Sequence, residues 1–404
     1  MKKKLIPFLF CLAAFAESGS AGPIRLDALN ESKKLIREAI AEGTIAGAAH
    51  MVIHRDKVVH LDAAGVADIE TKQPFTPDTI VRIYSMTKPI TSVAAMTLHE
   101  AGKFELDDPV GKFIPAFKSV RVFANGKGAT NLTVPKRPIT IRDVFRHTTG
   151  YSYGSGKSLE AHKREGIRYR GPGGMWPPSM SIAQAAEGLA RIPLLHQPGQ
   201  RFTYGYSTDL LGRLVEVWSG RPLDAFVRDA VLTPLEMKDT GFTVPEEKRS
   251  RFASCHTRRE GSLAIVDKNT DSRFNDGFKF LSGGGGLVST IRDYGNFCQM
   301  LVNDGEFKGR RVLKSSTVEL MFSDQLKEVP GKFQFGLGFA IKQVPVGSGD
   351  GVRNAAQYSW GGYASTDFRL VPGEGLVQIF LRQHVPSRHG LAGKVFPVVY
   401  RGVR

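Results

Sequence analysis

The stretch Tyr84-Ser85-Met86-Thr87-Lys88 places a serine three positions before a lysine. Upstream of it, residues 79–83 are β-branched and alternating, which is typical of a short strand. Downstream, apolar residues recur at helical spacing from Ile90 to Leu98, and Gly102 can end that helix. The pattern therefore predicts that Ser85 lies where a strand passes into a helix.

This position gives the serine and the lysine a chemical interpretation. Residues at i and i+3 share a helix face, so the Lys88 amine can lie beside the Ser85 hydroxyl. A serine hydroxyl is a weak nucleophile that needs a neighbouring base, and a desolvated lysine can act as one. Pro89 is compatible with the first helical turn, whose N–H groups have no intrahelical partner. The alternative is a purely structural role, in which Ser85 caps a helix and Lys88 is a solvated surface residue.

Residues 1–21 predict a secretory signal peptide. Three lysines at positions 2–4 precede the apolar run 5–16, which is too short to span a bilayer, and small residues follow. Cleavage could follow Ala16 or Ala21. No later stretch is long and apolar enough for a membrane helix, so we expect an exported, periplasmic or secreted protein without stable membrane insertion.

The formal net charge of +16 raises the question of an anionic partner. The basic residues are scattered, with short pairs such as Lys33-Lys34 and Arg310-Arg311 and no long basic tract. We therefore expect no nucleic-acid partner, and we interpret the charge as favouring solubility and weak attraction to an anionic envelope.

Two cysteines remain beyond the signal peptide, Cys255 and Cys298. They could pair in an oxidising compartment, but two buried thiols are the more economical interpretation. Neither has a metal-ligand spacing.

Strand patterns occur near both ends of the chain. Residues 47–54 and 57–64 predict a hairpin, and residues 333–342, 357–370 and 376–383 predict later antiparallel strands. Between them lie helical patterns and loops. We predict an α/β (α+β) fold, in which both chain ends build one antiparallel sheet flanked by helices. Residues 22–105 and 280–404 would form this sheet domain, residues 106–279 an inserted, mainly helical lobe, and the active site would lie in the seam.

Two further clusters accompany Ser85-x-x-Lys88. Tyr204-Gly205-Tyr206 precedes a striped helix that contains Asp209, and Trp360-Gly361-Gly362-Tyr363 lies on a late strand. Together the three resemble the motifs of the serine β-lactamase-like superfamily, which includes class C β-lactamases, DD-peptidases and family VIII carboxylesterases. Supporting stretches lie at residues 106–109, 146–150, 283–290 and 335–338, so the likeness runs from about residue 27 to residue 383.

The resemblance implies roles for these residues. Ser85 would attack an acyl carbon and form a covalent acyl-enzyme, without metal or cofactor. Lys88 and Tyr204 would share proton transfer, and the sequence leaves open which of them is the base. The backbone N–H groups of Ser85 and Tyr363 would hold the oxyanion.

Two departures from the lactamase pattern bear on the substrate. Trp360-Gly361-Gly362 stands where lactamases have Lys-Thr-Gly, and Tyr206 replaces the asparagine of Tyr-x-Asn. Trp360 offers an apolar face and one N–H donor in place of a fixed charge, as in family VIII esterases. We therefore expect a small, uncharged ester with a short to medium acyl chain, bound by Trp360, Gly361, Gly362, Tyr363 and Tyr206. A β-lactamase or DD-peptidase, an acyltransferase, and a non-catalytic binding protein are the alternatives.

Three other motifs match the patterns of other catalytic or nucleotide-binding sites, but each match is incomplete or has a structural interpretation. Gly150-Tyr-Ser152-Tyr-Gly154 fits the nucleophile elbow of α/β-hydrolases but lacks the flanking strand and helix. Gly156-Lys157-Ser158 resembles the end of a P-loop whose earlier glycine is misplaced, and His147 is interpreted as a structural corner. Residues 150–180, including Met175 and Trp176, are predicted to be a loop that shapes the pocket.

Overall fold

A computed structural model describes residues 24–124, 131–167, 180–277, 279–387 and 390–404. The predicted signal peptide lies outside the described residues, and so do Met175 and Trp176.

The central element of the protein is an antiparallel sheet. Its seven strands are, in chain order, β1 (Gly47–His54), β2 (Lys57–Gly65), β3 (Gln334–Phe335), β4 (Ala340–Val346), β5 (Arg353–Gly361), β6 (Asp367–Val371) and β7 (Leu376–Arg382). In space the order is β3-β4-β5-β6-β7-β1-β2, because β1 pairs with β7 from Ala48 opposite Arg382 to His54 opposite Leu376. The predicted sheet built from both chain ends is confirmed.

Helices cover the sheet and form the intervening part of the chain. Their bounds are α1 (Leu26–Ala41), α2 (Thr87–Glu100), α3 (Ile141–Phe145), α4 (Leu159–Arg164), α5 (Ile182–Ala190), α6 (Ser207–Ser219), α7 (Leu223–Val227), α8 (Ile291–Val302), α9 (Ser315–Phe322) and α10 (Gly390–Gly402). A π-helical turn, Arg228–Leu232, extends α7. In the described ranges, every helix falls short of the length and apolarity that crossing a membrane requires.

Four two-stranded ribbons lie outside the main sheet in the described residues. They pair Val81–Arg82 with Val288–Ser289, Val122–Phe123 with Leu132–Thr133, Cys255–Arg259 with Ser262–Asp267, and Glu306–Phe307 with Arg310–Arg311.

The sheet is buried on both faces, and β1 shows this directly because all eight of its residues are buried. Ala48 and Val52 pack into a core shared with α1 and α10, whereas Met51 and Ile53 pack into the larger core that contains α2 and α8. Side chains alternate along a strand, so a strand with apolar residues on both sides lies between two layers. The fold is therefore a helix–sheet–helix arrangement, with α2 packed between the sheet domain and α6.

Three details differ from the expected strands. The run 333–342 is divided between β3 and β4, which pair with each other. The strand before Ser85 is only Val81–Arg82, and it pairs outside the main sheet because Ile83 donates its N–H to Leu287 and the chain then turns. The run 357–370 is interrupted, since β5 ends at Gly361 and β6 begins at Asp367 after a turn. Cys255 and Cys298 are both buried free thiols.

Candidate active site

Ser85 lies in a single 3-10 turn, Tyr84–Met86, that leads directly into α2. Tyr84 has φ of +42°, a left-handed conformation that is unusual for a large residue and is tolerated where the surroundings fix it. The buried Tyr84 ring packs edge-on against Tyr363 at 5.8 Å and Phe274 at 6.3 Å between ring centroids. These contacts hold the turn that carries Ser85.

Lys88 follows on the first turn of α2, and its side chain is buried. Its Nζ donates to Ser85 Oγ at 3.1 Å, to the Tyr153 hydroxyl at 3.0 Å and to the Gly284 carbonyl at 2.6 Å. These three polar contacts compensate the buried amine for the loss of water around it. The amine is thereby fixed against the Ser85 hydroxyl.

Tyr204 reaches the same serine from the loop before α6. Its hydroxyl donates to Ser85 Oγ at 2.7 Å, and its ring centroid lies 4.7 Å from Lys88 Nζ. Trp360 Nε1 donates to the Tyr204 oxygen at 3.3 Å. The structure thus brings Ser85, Lys88, Tyr204 and Trp360 together from three separate parts of the chain.

A cavity of about 400 Å³ opens above Ser85, which is a usual size for a small-molecule site. Its described lining consists of Ser85, Tyr204, Trp360, Gly361, Gly362, Tyr363 and Ser387. None of these side chains is charged. The cavity therefore suits an uncharged group next to the serine.

Gly362 sets the distance between the two halves of this cavity. A Cβ atom at this position would overlap with the Ile83 carbonyl oxygen and with Thr366 Oγ1. Ile83 lies two residues before Ser85, so the absence of a side chain at Gly362 lets the Gly361–Tyr363 segment approach the serine turn closely.

Tyr206 was predicted to bind substrate, and the structure places it elsewhere. Its buried ring packs against Tyr153, with centroids 4.8 Å apart, and stacks on His162 at 5.7 Å. It is not among the described lining residues of the cavity. At the entry of α6 its side chain is directed into the core behind Tyr153, so it supports Tyr153 and does not face the cavity.

Tyr153 is a site residue that the sequence reasoning missed. Besides accepting from Lys88, its ring lies 5.4 Å from that of Tyr204. Burial, with smaller contributions from Tyr204 and Asp209, raises the pKa of Tyr153 well above its usual value, so the phenol remains neutral. Its only sequence signal was its place in the Gly150–Gly154 motif.

Asp209 places a buried carboxyl group behind Lys88. Its Oδ1 accepts from Ser282 Oγ at 2.5 Å and from the Gly284 N–H at 3.1 Å, and the Gly284 carbonyl accepts from Lys88. Burial raises the pKa of Asp209 and Lys88 opposes this increase. A Cβ at Gly284 would lie 2.6 Å from Asp209 Oδ2, which explains glycine here. The glycine run and Asp209 were visible in the sequence, but their contact was not.

Ser152 and His147, the two competing motif residues, have structural partners. Ser152 Oγ is buried and accepts from the N–H groups of Gly154 at 3.3 Å and Ser155 at 3.2 Å, which closes a turn. His147 packs its ring 5.0 Å from that of Tyr204, and burial, together with Lys88, lowers its pKa well below the usual value. His147 is therefore a neutral packing partner of Tyr204.

Comparison with known proteins places this geometry in context. The Beta-lactamase family matches residues 33–393. Protein Rv1367c of Mycobacterium tuberculosis is 34% identical over 376 residues, covering 89% of this chain and 91% of that protein. Esterase EstB of Burkholderia gladioli is 31% identical over 240 residues, covering 58% of this chain and 55% of EstB.

A solved structure shares the fold. EstCE1, described as a hydrolase with promiscuous acyltransferase activity, superposes with a TM-score of 0.77 and 24% identity, covering 93% of this chain and 99% of EstCE1. The family match spans most of the chain. The chain belongs to the Beta-lactamase family.

Proposed function

We propose that this protein hydrolyses carboxylic esters of short to medium acyl chain length through an acyl-serine at Ser85. The observation that carries the proposal is the contact of Ser85 Oγ with Lys88 Nζ at 3.1 Å and with the Tyr204 hydroxyl at 2.7 Å, beneath a cavity whose described lining is uncharged. The esterase EstB among the relatives supports the same reaction class.

In the proposed reaction the Lys88–Tyr204 pair starts with one proton fewer than an ammonium beside a phenol, so that it can act as the base. Ser85 Oγ attacks the ester carbonyl and its proton passes to this pair. The pair returns a proton to the departing alcohol as the C–O bond breaks. Water then attacks the acyl-serine, gives a proton to the same pair, and releases the acid as Ser85 regains its proton. The backbone N–H groups of Ser85 and Tyr363 are the proposed donors to the oxyanion.

The uncharged lining supports esters over penicillins and peptide stems. A substrate carboxylate gains affinity from a fixed cation in a poorly solvated site, and Trp360 supplies none. A β-lactamase or DD-peptidase activity would instead require turnover of nitrocefin or a D-Ala-D-Ala peptide faster than that of any simple ester. Running both substrates beside a series of p-nitrophenyl esters of increasing acyl length separates these functions.

Acyl transfer is a second candidate, because the acyl-enzyme can be attacked by an alcohol or amine in place of water. EstCE1, which shares the fold, is described as having promiscuous acyltransferase activity. Adding a short alcohol to the ester assay and measuring the new ester by chromatography tests it.

Paired serine variants test the nucleophile. Ser85→Ala is expected to abolish hydrolysis of short p-nitrophenyl esters, whereas Ser152→Ala, which removes only a turn contact, is expected to retain most of the activity. The reverse result would assign the nucleophile to the Gly150–Gly154 motif and refute the mechanism.

We also propose that the reaction takes place outside the cytoplasm. This rests on the signal-peptide pattern of residues 1–21 alone. N-terminal sequencing of the protein recovered from the periplasm or medium should begin after Ala16 or Ala21. An intact N-terminus in the cytoplasmic fraction would contradict it.

A further inference from the structure

A second cavity lies on the opposite side of strand β5 from the catalytic one. It measures about 570 Å³ and is enclosed by β4, β5, the turn between them, and helix α10. Side chains alternate along β5, so Gln357 and Ser359 face the α10 layer, while Trp360 faces the catalytic cavity. The two cavities therefore share one strand but no lining residue.

The walls of this second cavity are apolar. They include Val344, Val352, Phe396 and Pro397. Such a surface favours a hydrocarbon or aryl group over a polar metabolite, because covering it removes apolar area from water.

The floor of the cavity is polar and held in place. The Tyr400 hydroxyl donates to Gln357 Oε1 at 2.6 Å, Arg369 Nη1 donates to Ser359 Oγ at 3.1 Å, and the Arg369 guanidinium lies 5.4 Å from the Phe396 ring centroid. Gln357 and Ser359 are both buried. These contacts keep Arg369 at the cavity in a fixed position.

The charge of the lining has a single sign. Lys342, Arg369 and Arg401 line the cavity, and none of the described lining residues is acidic. Asp367 and Glu31 pair with Arg369 at 3.0 Å and Arg401 at 3.5 Å from outside the lining. Lys342 is exposed at the rim. A ligand that places an anionic group among these cations is favoured over a neutral one of the same shape.

We propose that this cavity is a binding site for an apolar monocarboxylate, a medium-chain aliphatic or aryl acid whose tail contacts Phe396 and Val344 and whose carboxylate faces the cations. This goes beyond the proposed function, since it concerns a site that shares no residue with the catalytic cavity. The acid that ester hydrolysis would release belongs to the same chemical class.

Gly393 allows the cavity to be filled selectively. It lines the cavity on α10, and a Cβ placed there meets no atom within 4 Å, so Gly393→Phe can extend into the cavity. Gly390, at the start of the same helix, is equally open but does not line the cavity, which makes Gly390→Phe the matched control.

The test is isothermal titration of octanoate, with octanol as the neutral analogue, into protein carrying Ser85→Ala. We expect saturable one-to-one binding of octanoate, at least tenfold weaker after Gly393→Phe and unchanged after Gly390→Phe. Octanol should bind at least tenfold more weakly than octanoate. The Ser85→Ala background makes this result independent of whether the protein hydrolyses esters.

A second variant covers the case in which Gly393→Phe fails to fold. Lys342→Glu alters an exposed rim residue. It should weaken the binding of octanoate several-fold and leave the binding of octanol unchanged. Absence of saturable octanoate binding, equal binding after Gly393→Phe in folded protein, or octanol binding as tight as octanoate would each overturn the proposal.

Discussion

Trp360 combines two functions in one side chain. Its indole face lines the catalytic cavity, and its N–H donates to the Tyr204 oxygen at 3.3 Å. From the sequence, Trp360 is predicted to offer an apolar face and one N–H donor in place of a fixed charge, without a partner for that donor. The structure adds that the same residue orients the phenol, and that negative charge developing on Tyr204 would be stabilised by this donor.

Trp360→Phe separates these two functions, because phenylalanine keeps an aromatic face but has no N–H. We expect the loss of one hydrogen bond, worth about 1 kcal/mol, to lower kcat roughly fivefold with little change in KM. Steady-state kinetics on a p-nitrophenyl ester measure this. A change confined to KM would show that Trp360 acts only as a wall of the cavity.

Tyr153→Phe tests the third acceptor of Lys88. The variant removes the oxygen 3.0 Å from Nζ and leaves the buried amine with one polar partner fewer. We expect kcat to fall by about ten- to a hundredfold, since a buried polar group is sensitive to a lost hydrogen bond. Tyr151→Phe is the matched control, because the Tyr151 hydroxyl is buried without a hydrogen-bond partner among the described residues. Equal losses in the two variants would contradict the role given to Tyr153.

Gly362→Ala tests the close approach between the two halves of the catalytic cavity. The added methyl group would press on Ile83 and Thr366 and move the Gly361–Tyr363 segment away from Ser85. We expect kcat to drop about a hundredfold, the magnitude typical of a displaced oxyanion donor. Gly373→Ala, where a Cβ meets open space, should leave activity unchanged. Full activity in Gly362→Ala would exclude a role for this spacing.

At the scale of elements, the segment that carries Tyr153 is held by one buried carboxylate. Asp143, on α3, accepts from Arg137 at 2.5 and 3.0 Å, from Arg146 at 3.0 Å and from Thr148 at 2.7 Å. Arg146 in turn donates to the Gln325 carbonyl at 2.8 Å. The Arg-His-Thr-Thr-Gly corner is thus tied to α3 on one side and to the 323–326 loop on the other.

This network makes stability depend on pH. Burial opposes ionisation of Asp143, but hydrogen bonds from Arg137, Thr140 and Thr148 outweigh it and lower its pKa. A lowered pKa stabilises the folded state above the unfolded value of about 4, and this stabilisation is lost as pH falls through the lower folded value. Asp143→Asn should therefore cost about 3 kcal/mol at pH 7.

Urea unfolding of wild type and Asp143→Asn at pH 7 and pH 3 measures this difference. The difference in unfolding free energy between the two proteins should narrow at pH 3, because the carboxylate of the unfolded chain is then largely protonated whereas the pKa of the folded one is lower. A difference in unfolding free energy that stays constant with pH would show that Asp143 contributes through packing alone.

Elements with a local signal could be predicted from the sequence. Thr140 caps α3 and Thr290 caps α8, each accepting from the N–H three residues on, and α2 follows the serine turn as its apolar spacing indicated. The turn that carries Ser85 could not be predicted from the sequence, because nothing local indicates that Tyr84 adopts a positive φ. That conformation depends on the packing of Tyr84 against Tyr363 and Phe274, which are distant in sequence.

At the scale of the whole molecule, alternating strand patterns at both chain ends were enough to predict the sheet, since β1 must find an antiparallel partner and β7 provides it. The surroundings of Lys88 were not predictable in the same way. Its partners Tyr153 and Gly284 lie 65 and 196 residues away, and no periodicity relates them. Similarly, Tyr206 matched a motif position, yet the packing of three aromatic rings directs it away from the cavity.

The central claim is that Ser85 carries the acyl group during turnover. Mixing the protein with a short p-nitrophenyl ester, quenching in acid within the first turnover and mapping the peptides by mass spectrometry tests it directly. We expect the acyl mass on the peptide that contains Ser85, and we expect this modification to be absent in Ser85→Ala. An acyl group on Ser152, or ester turnover with no acylated serine at any time, would contradict it.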